Sequence, residues 1–132
     1  MSTLPTNTTV PNAVIDRLQR PLRSLRVSVI DRCDLRCRYC MPEERYAWLP
    51  KDDLLGAYEI EQAVSAFAEL GVDRVRITGG EPLLRARLEE IVERIAHVSS
   101  ISDVAMTTNG MQLAQRAADL RRAGLRRVTI SL

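Results

Sequence analysis

Strand-like and helix-like patterns alternate along the chain from residue 25 to its last residue. Four segments alternate apolar and polar residues as β-strands do: "LRVSVI", "DRVRITGG", "SDVAMTTNG" and "RRVTISL". Between them apolar residues recur at helical spacing, in three stripes: Ile60, Ala63, Val64, Phe67 and Leu70; Leu88, Ile91, Val92 and Ile95; and Leu113, Ala117 and Leu120. This order predicts an α/β fold in which right-handed βαβ units build a parallel sheet of four strands with three helices.

One face of the predicted strands is polar, although buried parallel strands are usually apolar on both faces. The polar positions are Arg26, Ser28, Arg76, Thr78, Thr107, Thr129 and Ser131. If the helices cover the apolar face, the polar face looks into an interior that holds a ligand, and a curved, barrel-like sheet fits best. The alternative is a sheet with one face in water.

The segments outside this alternation indicate how the chain is organised. Residues 1–20 are rich in Thr, Asn, Ser and Pro, and we expect a flexible N-terminal arm. Residues 41–56 contain two prolines and many charges, which predicts a long loop with one turn of helix. The domain itself then covers residues 21–132. Because the chain is too short for a complete barrel and ends on a strand, we expect a fragment of a longer protein.

Composition excludes several classes of function. A net charge of +2 is too small to indicate nucleic-acid binding. No apolar run approaches the roughly 18 residues of a membrane span, and the N-terminus does not resemble a secretory signal, so we expect a cytoplasmic protein without a membrane partner. Three cysteines cannot pair off, which favours metal or redox chemistry over disulfides.

All three cysteines lie in the loop after the first predicted strand, in the sequence "CDLRCRYC". Thiolates hold iron–sulfur clusters, and three of them would leave one iron of a cubane cluster open to a small molecule. The alternative is a structural zinc site, which needs a fourth ligand. The sole histidine, His97, lies far along the chain in the second helix, and we expect it on the surface.

A glycine pair, Gly79 and Gly80, ends the second predicted strand in the sequence "TGGEP". Glycine has no Cβ, so backbone at this point can approach a ligand closely. By itself such a pair more often forms a simple turn. One βα unit after a three-cysteine loop, we interpret it as part of the same site.

The spacing Cys33-x3-Cys37-x2-Cys40, with Tyr39 before the last cysteine and "TGGEP" one unit later, resembles the radical S-adenosylmethionine superfamily. The resemblance implies that the three cysteines hold a 4Fe-4S cluster whose open iron chelates the amino and carboxylate groups of S-adenosylmethionine. It also implies the fold of the N-terminal half of a partial (βα) barrel of that type.

Within the superfamily, "LRVSVIDRCDLRCRYCMPEE", "RITGGEPLLR", "TTNG" and "AGLRRVTISL" resemble the GTP 3′,8-cyclase family of molybdenum cofactor biosynthesis over roughly residues 16–132. That family cleaves S-adenosylmethionine reductively, and the 5′-deoxyadenosyl radical takes the 3′ hydrogen of GTP. Attack on carbon 8 of guanine then gives (8S)-3′,8-cyclo-7,8-dihydroguanosine 5′-triphosphate. The resemblance implies GTP as substrate, a reducing electron donor, cyclic pyranopterin monophosphate synthase as the next enzyme, and leaves room for a homodimer.

The family's substrate contacts fall on Arg26, Arg76 and Thr107 of this sequence. All three lie on the polar strand face that alternation alone predicts. Arginine forks suit phosphate oxygens, and two arginines on an interior face would be costly without an anion to bind.

The family's S-adenosylmethionine contacts fall on Tyr39, Gly80 and Ser131, and the resemblance assigns no catalytic side chain in this chain. With the cysteine loop, Gly80 and Ser131 lie at or just beyond the carboxyl ends of their predicted strands. Barrel enzymes place their sites at that end.

The family's second 4Fe-4S cluster, which holds the guanine, has no cysteines here and is expected only in a missing C-terminal part. We therefore expect the chain alone to be inactive. Two alternatives remain open from the residues: another radical enzyme, for instance one that modifies a peptide, and a zinc-binding structural module that is not an enzyme. Interior arginines favour the cyclase over a peptide-modifying enzyme.

Overall fold

The computed structural model of the chain describes residues 14–132, so most of the predicted arm, residues 1–13, lies outside the described residues. The strands are β1 (Ser24–Ser28), β2 (Arg74–Thr78), β3 (Asp103–Thr108) and β4 (Arg127–Ile130). The helices are α1 (Ala57–Glu69), α2 (Leu88–Ala96) and α3 (Leu113–Ala123). Single 3-10 turns cover Lys51–Asp53 and Pro82–Leu84, the first of them inside the predicted loop.

The four strands form one sheet in the order β1-β2-β3-β4, and every neighbouring pair is parallel. Each strand is therefore followed by a crossover to its neighbour, as in the first part of a (βα) barrel. The predicted α/β fold is confirmed. No helix within residues 14–132 is long and apolar enough to cross a membrane.

The core lies between the sheet and the helices. The sheet contributes the buried side chains of Val75, Ile77, Val104 and Met106. From the helices come Ile60 and Val64 of α1, Leu88, Ile91, Val92 and Ile95 of α2, and Leu120 of α3. Because α2 covers the middle of the sheet, its whole apolar stripe is buried, as its spacing predicts.

The elements at the two edges of the sheet depart from the prediction. In α1 the buried positions are Ile60, Val64 and Ala68, whereas Phe67 of the predicted stripe is 40% exposed. Ile130 of β4 is 49% exposed although it lies on the apolar side of the strand pattern. Residue spacing gives the direction of a side chain but not the presence of a neighbouring element, and an edge element has only one neighbour in the sheet.

The strand register confirms the polar face. The Cα partners across the sheet are Arg26 with Arg76, Arg76 with Ala105, and Ala105 with Arg127. Partnered residues of parallel strands present their side chains on the same side, so the polar side chains of neighbouring strands form one surface.

Residues 14–22 form a small turn at the edge of the domain. Ile15 and Pro21 make an antiparallel bridge, and the backbone N–H of Leu22 donates to the carbonyl of Val14 at 2.8 Å. Within this turn the carboxylate of Asp16 accepts from Arg20. Two contacts reach the domain: Val14 N–H donates to the carbonyl of Leu70 at 3.3 Å, and the side chain of Leu22 packs against the core.

Candidate functional site

Four of the predicted site positions lie along one edge of the sheet, where the parallel strands end. The cysteine loop follows β1, Gly80 follows β2, Thr107 is the second-to-last residue of β3, and Ser131 follows β4. Carboxyl ends of parallel strands meet at the same edge, so the fold brings these four sequence positions to one side of the molecule.

Backbone pairing between β1 and β2 continues beyond the strands, up to the first cysteine. Gly80 N–H donates to the carbonyl of Ile30 at 2.8 Å, and Glu81 N–H donates to the carbonyl of Arg32 at 2.7 Å. Cys33 therefore starts from a backbone that is fixed to the glycine pair by regular hydrogen bonds.

This pairing also explains why both positions 79 and 80 are glycine. A Cβ on Gly80 would lie 2.1 Å from the carbonyl oxygen of Arg32, and one on Gly79 would lie 2.5 Å from that of Ile30. Gly79 has a φ of +155° as well. Close approach of a ligand is the role predicted for the glycine pair from the sequence. The structure adds a second reason, which is close approach of the chain's own backbone.

Glu81 is a functional candidate that the sequence argument missed. Its side chain is only 2% exposed. One carboxylate oxygen accepts from the hydroxyl of Thr108 at 2.5 Å and from Leu83 N–H at 3.0 Å, and the other accepts from Asn109 N–H at 2.7 Å. The available signal was an acid placed between the glycines and "PLL", because a charge in an apolar turn needs partners.

The cysteine loop itself lies at the surface. Cys33 and Cys37 are half-buried, Cys40 is exposed, and none forms a disulfide. The carbonyl of Cys37 accepts from the N–H groups of Cys40 and Met41, at 3.0 and 2.7 Å, which closes a turn around the second half of the loop. The neighbouring Tyr39 side chain is 84% exposed and is accessible to a ligand.

An aromatic pair in the following loop holds Arg36 of the cysteine loop. The Tyr46 and Trp48 rings stack with centroids 5.3 Å apart, and the Arg36 guanidinium carbon lies 5.6 and 5.5 Å from the two centroids. The same guanidinium donates to the carbonyl of Cys33 at 2.7 Å. Sequence reasoning missed this contact, since nothing in the spacing pairs an arginine with two aromatic residues ten or more positions away.

The polar sheet face carries an open depression of about 390 Å³ near the amino ends of the strands. Its charged lining residues are Arg26, Arg74, Arg76, Asp103 and Arg127. The Arg127–Asp103 ion pair raises the pKa of Arg127 through the side-chain hydrogen bond. Neither Arg26 nor Arg76 has an acidic partner within residues 14–132, so the depression is positively charged.

Arg76 also points along this face toward the carboxyl ends of the strands. It donates to the hydroxyls of Thr107 and Thr129, each at 3.1 Å. The structure thus brings Arg76 and Thr107 together, links both to β4, and places Arg26 beside Arg76 in the strand register.

A sequence profile of the Radical SAM superfamily matches residues 27–132. The chain belongs to the radical SAM superfamily. The matched range begins within β1 and includes the cysteine loop, the glycine pair and all four strand ends of the site.

Similar proteins carry a common name. "GTP 3′,8-cyclase" of Aquifex aeolicus is 54% identical over 120 residues, which are 90% of this chain and 38% of that protein. "GTP 3′,8-cyclase 1" of Mycobacterium tuberculosis is 53% identical, over 90% of this chain and 34% of that protein. A Staphylococcus haemolyticus "GTP 3′,8-cyclase" is 49% identical over 89% of this chain. The chain spans about a third of the length of the relatives it matches.

Solved structures share the fold. BtrN, in a crystal structure with AdoMet and 2-DOIA, aligns with a TM-score of 0.60 at 20% identity, over 81% of this chain and 44% of that chain. BtrN in an open conformation gives 0.61 at 22% identity, over 81% of this chain and 48% of that chain. This likeness supports the partial barrel expected for a radical SAM domain.

The donor chemistry of this radical SAM domain fits an iron–sulfur cluster. Three thiols lie on one surface loop, and none is committed to a disulfide. Thiolates are the ligands of iron–sulfur clusters. The superfamily match over the cysteine loop supports a cluster at this position.

Proposed function

We propose that the protein is a GTP 3′,8-cyclase, a lyase that converts GTP to (8S)-3′,8-cyclo-7,8-dihydroguanosine 5′-triphosphate in the first step of molybdenum cofactor biosynthesis. The observation that carries the proposal is the pair Arg26–Arg76. These two arginines are register partners on the polar face, without an acidic partner in the described part of the chain. The name shared by its relatives supports the same reaction.

The cofactor side of the site is the carboxyl edge of the sheet. Cys33, Cys37 and Cys40 would hold the 4Fe-4S cluster and leave one iron for S-adenosylmethionine. When bound, this pair supplies the 5′-deoxyadenosyl radical that starts the reaction. The chain's own part is to present three thiolates on a loop fixed at Arg32 by the hydrogen bond from Glu81 N–H.

Three further residues contact S-adenosylmethionine in this proposal: Tyr39, Gly80 and Ser131. Tyr39 is exposed beside the cluster ligands. Gly80 and Ser131 follow β2 and β4, so they approach the cofactor from two sides of the strand-end edge. Ser131 is held there by its backbone N–H, which donates to the carbonyl of Thr108 at 2.9 Å.

GTP binds on the polar face, with Arg26, Arg76 and Thr107 as contacts. Arg76 donates to two neutral hydroxyls in the structure. A phosphate oxygen is a stronger acceptor for a guanidinium than a hydroxyl, since it carries negative charge and a phosphate can accept two parallel N–H bonds from arginine. A phosphate oxygen of GTP can therefore replace the Thr129 hydroxyl as an acceptor for Arg76, with Thr107 next to the substrate.

The remaining partners belong to the reaction. A reducing electron donor would supply the cluster with electrons, and cyclic pyranopterin monophosphate synthase would use the product as its substrate. Residues 21–132 form the radical-generating half of the barrel. A second 4Fe-4S cluster, expected in sequence beyond this half, holds the guanine, so the 132-residue chain alone should turn over little or no GTP.

The test is GTP turnover by the full-length protein, reconstituted without oxygen and supplied with S-adenosylmethionine and a reductant. Arg76→Ala should raise the KM for GTP about 10- to 100-fold, because a hydrogen bond to a charged group is worth about 1.5–3 kcal/mol. S-adenosylmethionine cleavage should remain measurable. Arg121→Ala, which removes an exposed arginine of α3, is the matched control and should leave both unchanged.

Two results would count against the proposal. Equal loss of GTP binding and cofactor cleavage in Arg76→Ala would mean that this arginine does not act on the substrate. Absence of any cyclised product from GTP, with 5′-deoxyadenosine formed in the presence of another substrate, would assign the radical chemistry to a different reaction.

A further inference from the structure

The cysteine loop, residues 33–41, has one hydrogen bond to the rest of the described chain. Its other bonds are internal: Arg36 donates to carbonyls of Cys33 and Leu35, and the carbonyl of Cys37 accepts from two N–H groups. The exception is the side-chain amide of Asn109, whose Nδ2 donates to Oδ1 of Asp34 at 2.7 Å. Asn109 follows β3, 75 positions along the chain from Asp34.

The orientation of Asn109 is fixed from both of its other polar groups. Its side-chain oxygen accepts from Met111 N–H at 3.0 Å, so the NH₂ group must face Asp34. Its backbone N–H donates to Glu81 at 2.7 Å. Rotation of the side chain would lose the bond from Met111, and the bond to Glu81 holds the backbone from which the side chain extends.

Behind Asn109 lies a buried and fully partnered carboxylate. Glu81 accepts from Thr108, Leu83 and Asn109, and its own backbone N–H donates to Arg32. A charge this deeply buried is tolerated only with such partners, which makes this group of contacts rigid. Through Asn109, the surface loop is therefore attached to the most constrained polar group of the sheet edge.

We propose that Asn109 is a positioning residue that fixes the cysteine loop against the substrate side of the site. It lies two residues after Thr107 on the same chain segment, so one short rigid connection joins the cluster ligands to a substrate contact. This inference rests on the proposed function for its consequence in catalysis. Its structural part, a loop held by the Asn109–Asp34 bond, does not depend on the substrate.

The decisive variant is Asn109→Asp. It has nearly the same shape, keeps the backbone bond to Glu81 and the acceptor for Met111, and replaces the donor facing Asp34 with a second carboxylate. Adding Asp34→Asn restores one donor and one acceptor with the direction of the bond reversed. Gln115→Glu, which adds the same charge at an exposed position of α3, is the control for net charge.

The first readout is amide hydrogen exchange in the full-length protein without its cluster. Asn109→Asp should speed exchange at the amides of Cys40 and Met41 on the order of tenfold, while the amides of Gly80 and Glu81 stay as protected as before. The added Asp34→Asn should restore the original rates. Gln115→Glu should change none of them.

The second readout uses the cluster-loaded enzyme with GTP. A cofactor held out of position generates radicals that do not react with GTP. Asn109→Asp should therefore increase the ratio of 5′-deoxyadenosine to cyclised product on the order of tenfold. The double variant should return this ratio toward the original value. Unchanged exchange in Asn109→Asp, or a defect that Asp34→Asn fails to reverse, would overturn the positioning role. If exchange behaves as expected but GTP is never a substrate, the proposed function fails and the structural inference stands.

Discussion

Two regions of this molecule are held together in different ways. The cysteine segment, residues 31–56, contains no buried residue. The central unit, residues 72–108, contains β2, α2 and β3 and supplies most of the core, with side chains such as Ile77, Leu88 and Met106 fully buried. The cysteine segment is held instead by single polar bonds, for example from Leu49 N–H to the carboxylate of Asp31 at 2.7 Å, by one aromatic cluster, and by the partly buried side chain of Leu54, which packs against the core.

This difference indicates which interactions stabilise each region of the site. The central unit is stabilised by apolar burial. The cysteine segment has no buried residue to hold one conformation as firmly, so we expect binding of the proposed cluster to contribute to its ordering. The Glu81 contacts join the two regions, and variants on each side of this junction should separate the two kinds of stability.

The largest effect is expected from Cys37→Ala. A loop with two cysteines cannot retain its cluster, so S-adenosylmethionine cleavage by the full-length protein should be abolished and iron content should fall by about four atoms per chain, while the proposed second cluster remains. The sheet should keep its stability, since the side chain packs against no core residue. Iron analysis, 5′-deoxyadenosine assay and thermal unfolding measure the three quantities, with Arg38→Ala of the same loop as control. Unchanged 5′-deoxyadenosine production would contradict the assignment of the three cysteines as cluster ligands.

Glu81→Ala should act on both regions at once. It leaves the Thr108 hydroxyl and the N–H groups of Leu83 and Asn109 without their acceptor in a buried site, which should lower the free energy of unfolding by about 3–5 kcal/mol. Urea unfolding measures the loss. Glu44→Ala, at an exposed position of the cysteine segment, should stay within about 0.5 kcal/mol of the parent. Equal stability of the two variants would contradict the junction.

Gly80→Ala should cost about 1–3 kcal/mol, because the new Cβ meets the carbonyl of Arg32 at 2.1 Å and the backbone must move. Gly56→Ala is the matched control. Its Cβ would meet only the carboxylate of Glu59, at 3.6 Å, and the change at this helix start should cost less than about 1 kcal/mol. If both glycines tolerate alanine equally in thermal unfolding, the close pairing of the two strand ends is wrong.

Trp48→Ala should have the smallest effect on global stability. Removing this ring takes away one face of the Arg36 contact, worth about 0.5–1 kcal/mol at an exposed site. The change should show instead as faster amide exchange within the cysteine loop, with β2 and β3 unaffected. Trp48→Phe keeps a ring and should restore most of the protection. Exchange that rises equally in the sheet would show that the two regions are not independent.

The sequence predicted the central unit well because its signals are local. Period-two alternation placed Arg76 of this unit, and Arg26 of the neighbouring β1, on the polar face, and the strand register confirms it. Helical spacing identified the α2 stripe because α2 has neighbours on both sides. The same rule failed for Phe67 and Ile130 at the edges, where exposure depends on elements that residue spacing does not report.

What the sequence could not give were contacts between residues far apart in the chain. Two of the three partners of the Glu81 carboxylate lie 27 and 28 positions away, and Asp34 contacts Asn109 at a separation of 75. Such pairs are decided by how the strand ends come together, so no pattern within a window of residues contains them. The roles of the cysteines and of Tyr39, Gly80 and Ser131 came from resemblance and stay predictions.

The central claim is that the exposed cysteine loop holds an iron–sulfur cluster with an iron left for S-adenosylmethionine. Elemental analysis of the full-length protein and its Cys37→Ala variant, both purified without oxygen, tests it most directly. We predict a brown, oxygen-sensitive protein with iron and sulfide in equal amounts, of which about four of each per chain are lost in the variant. A colourless protein with zinc near one equivalent and no sulfide, or a variant that keeps all its iron and sulfide, would contradict it.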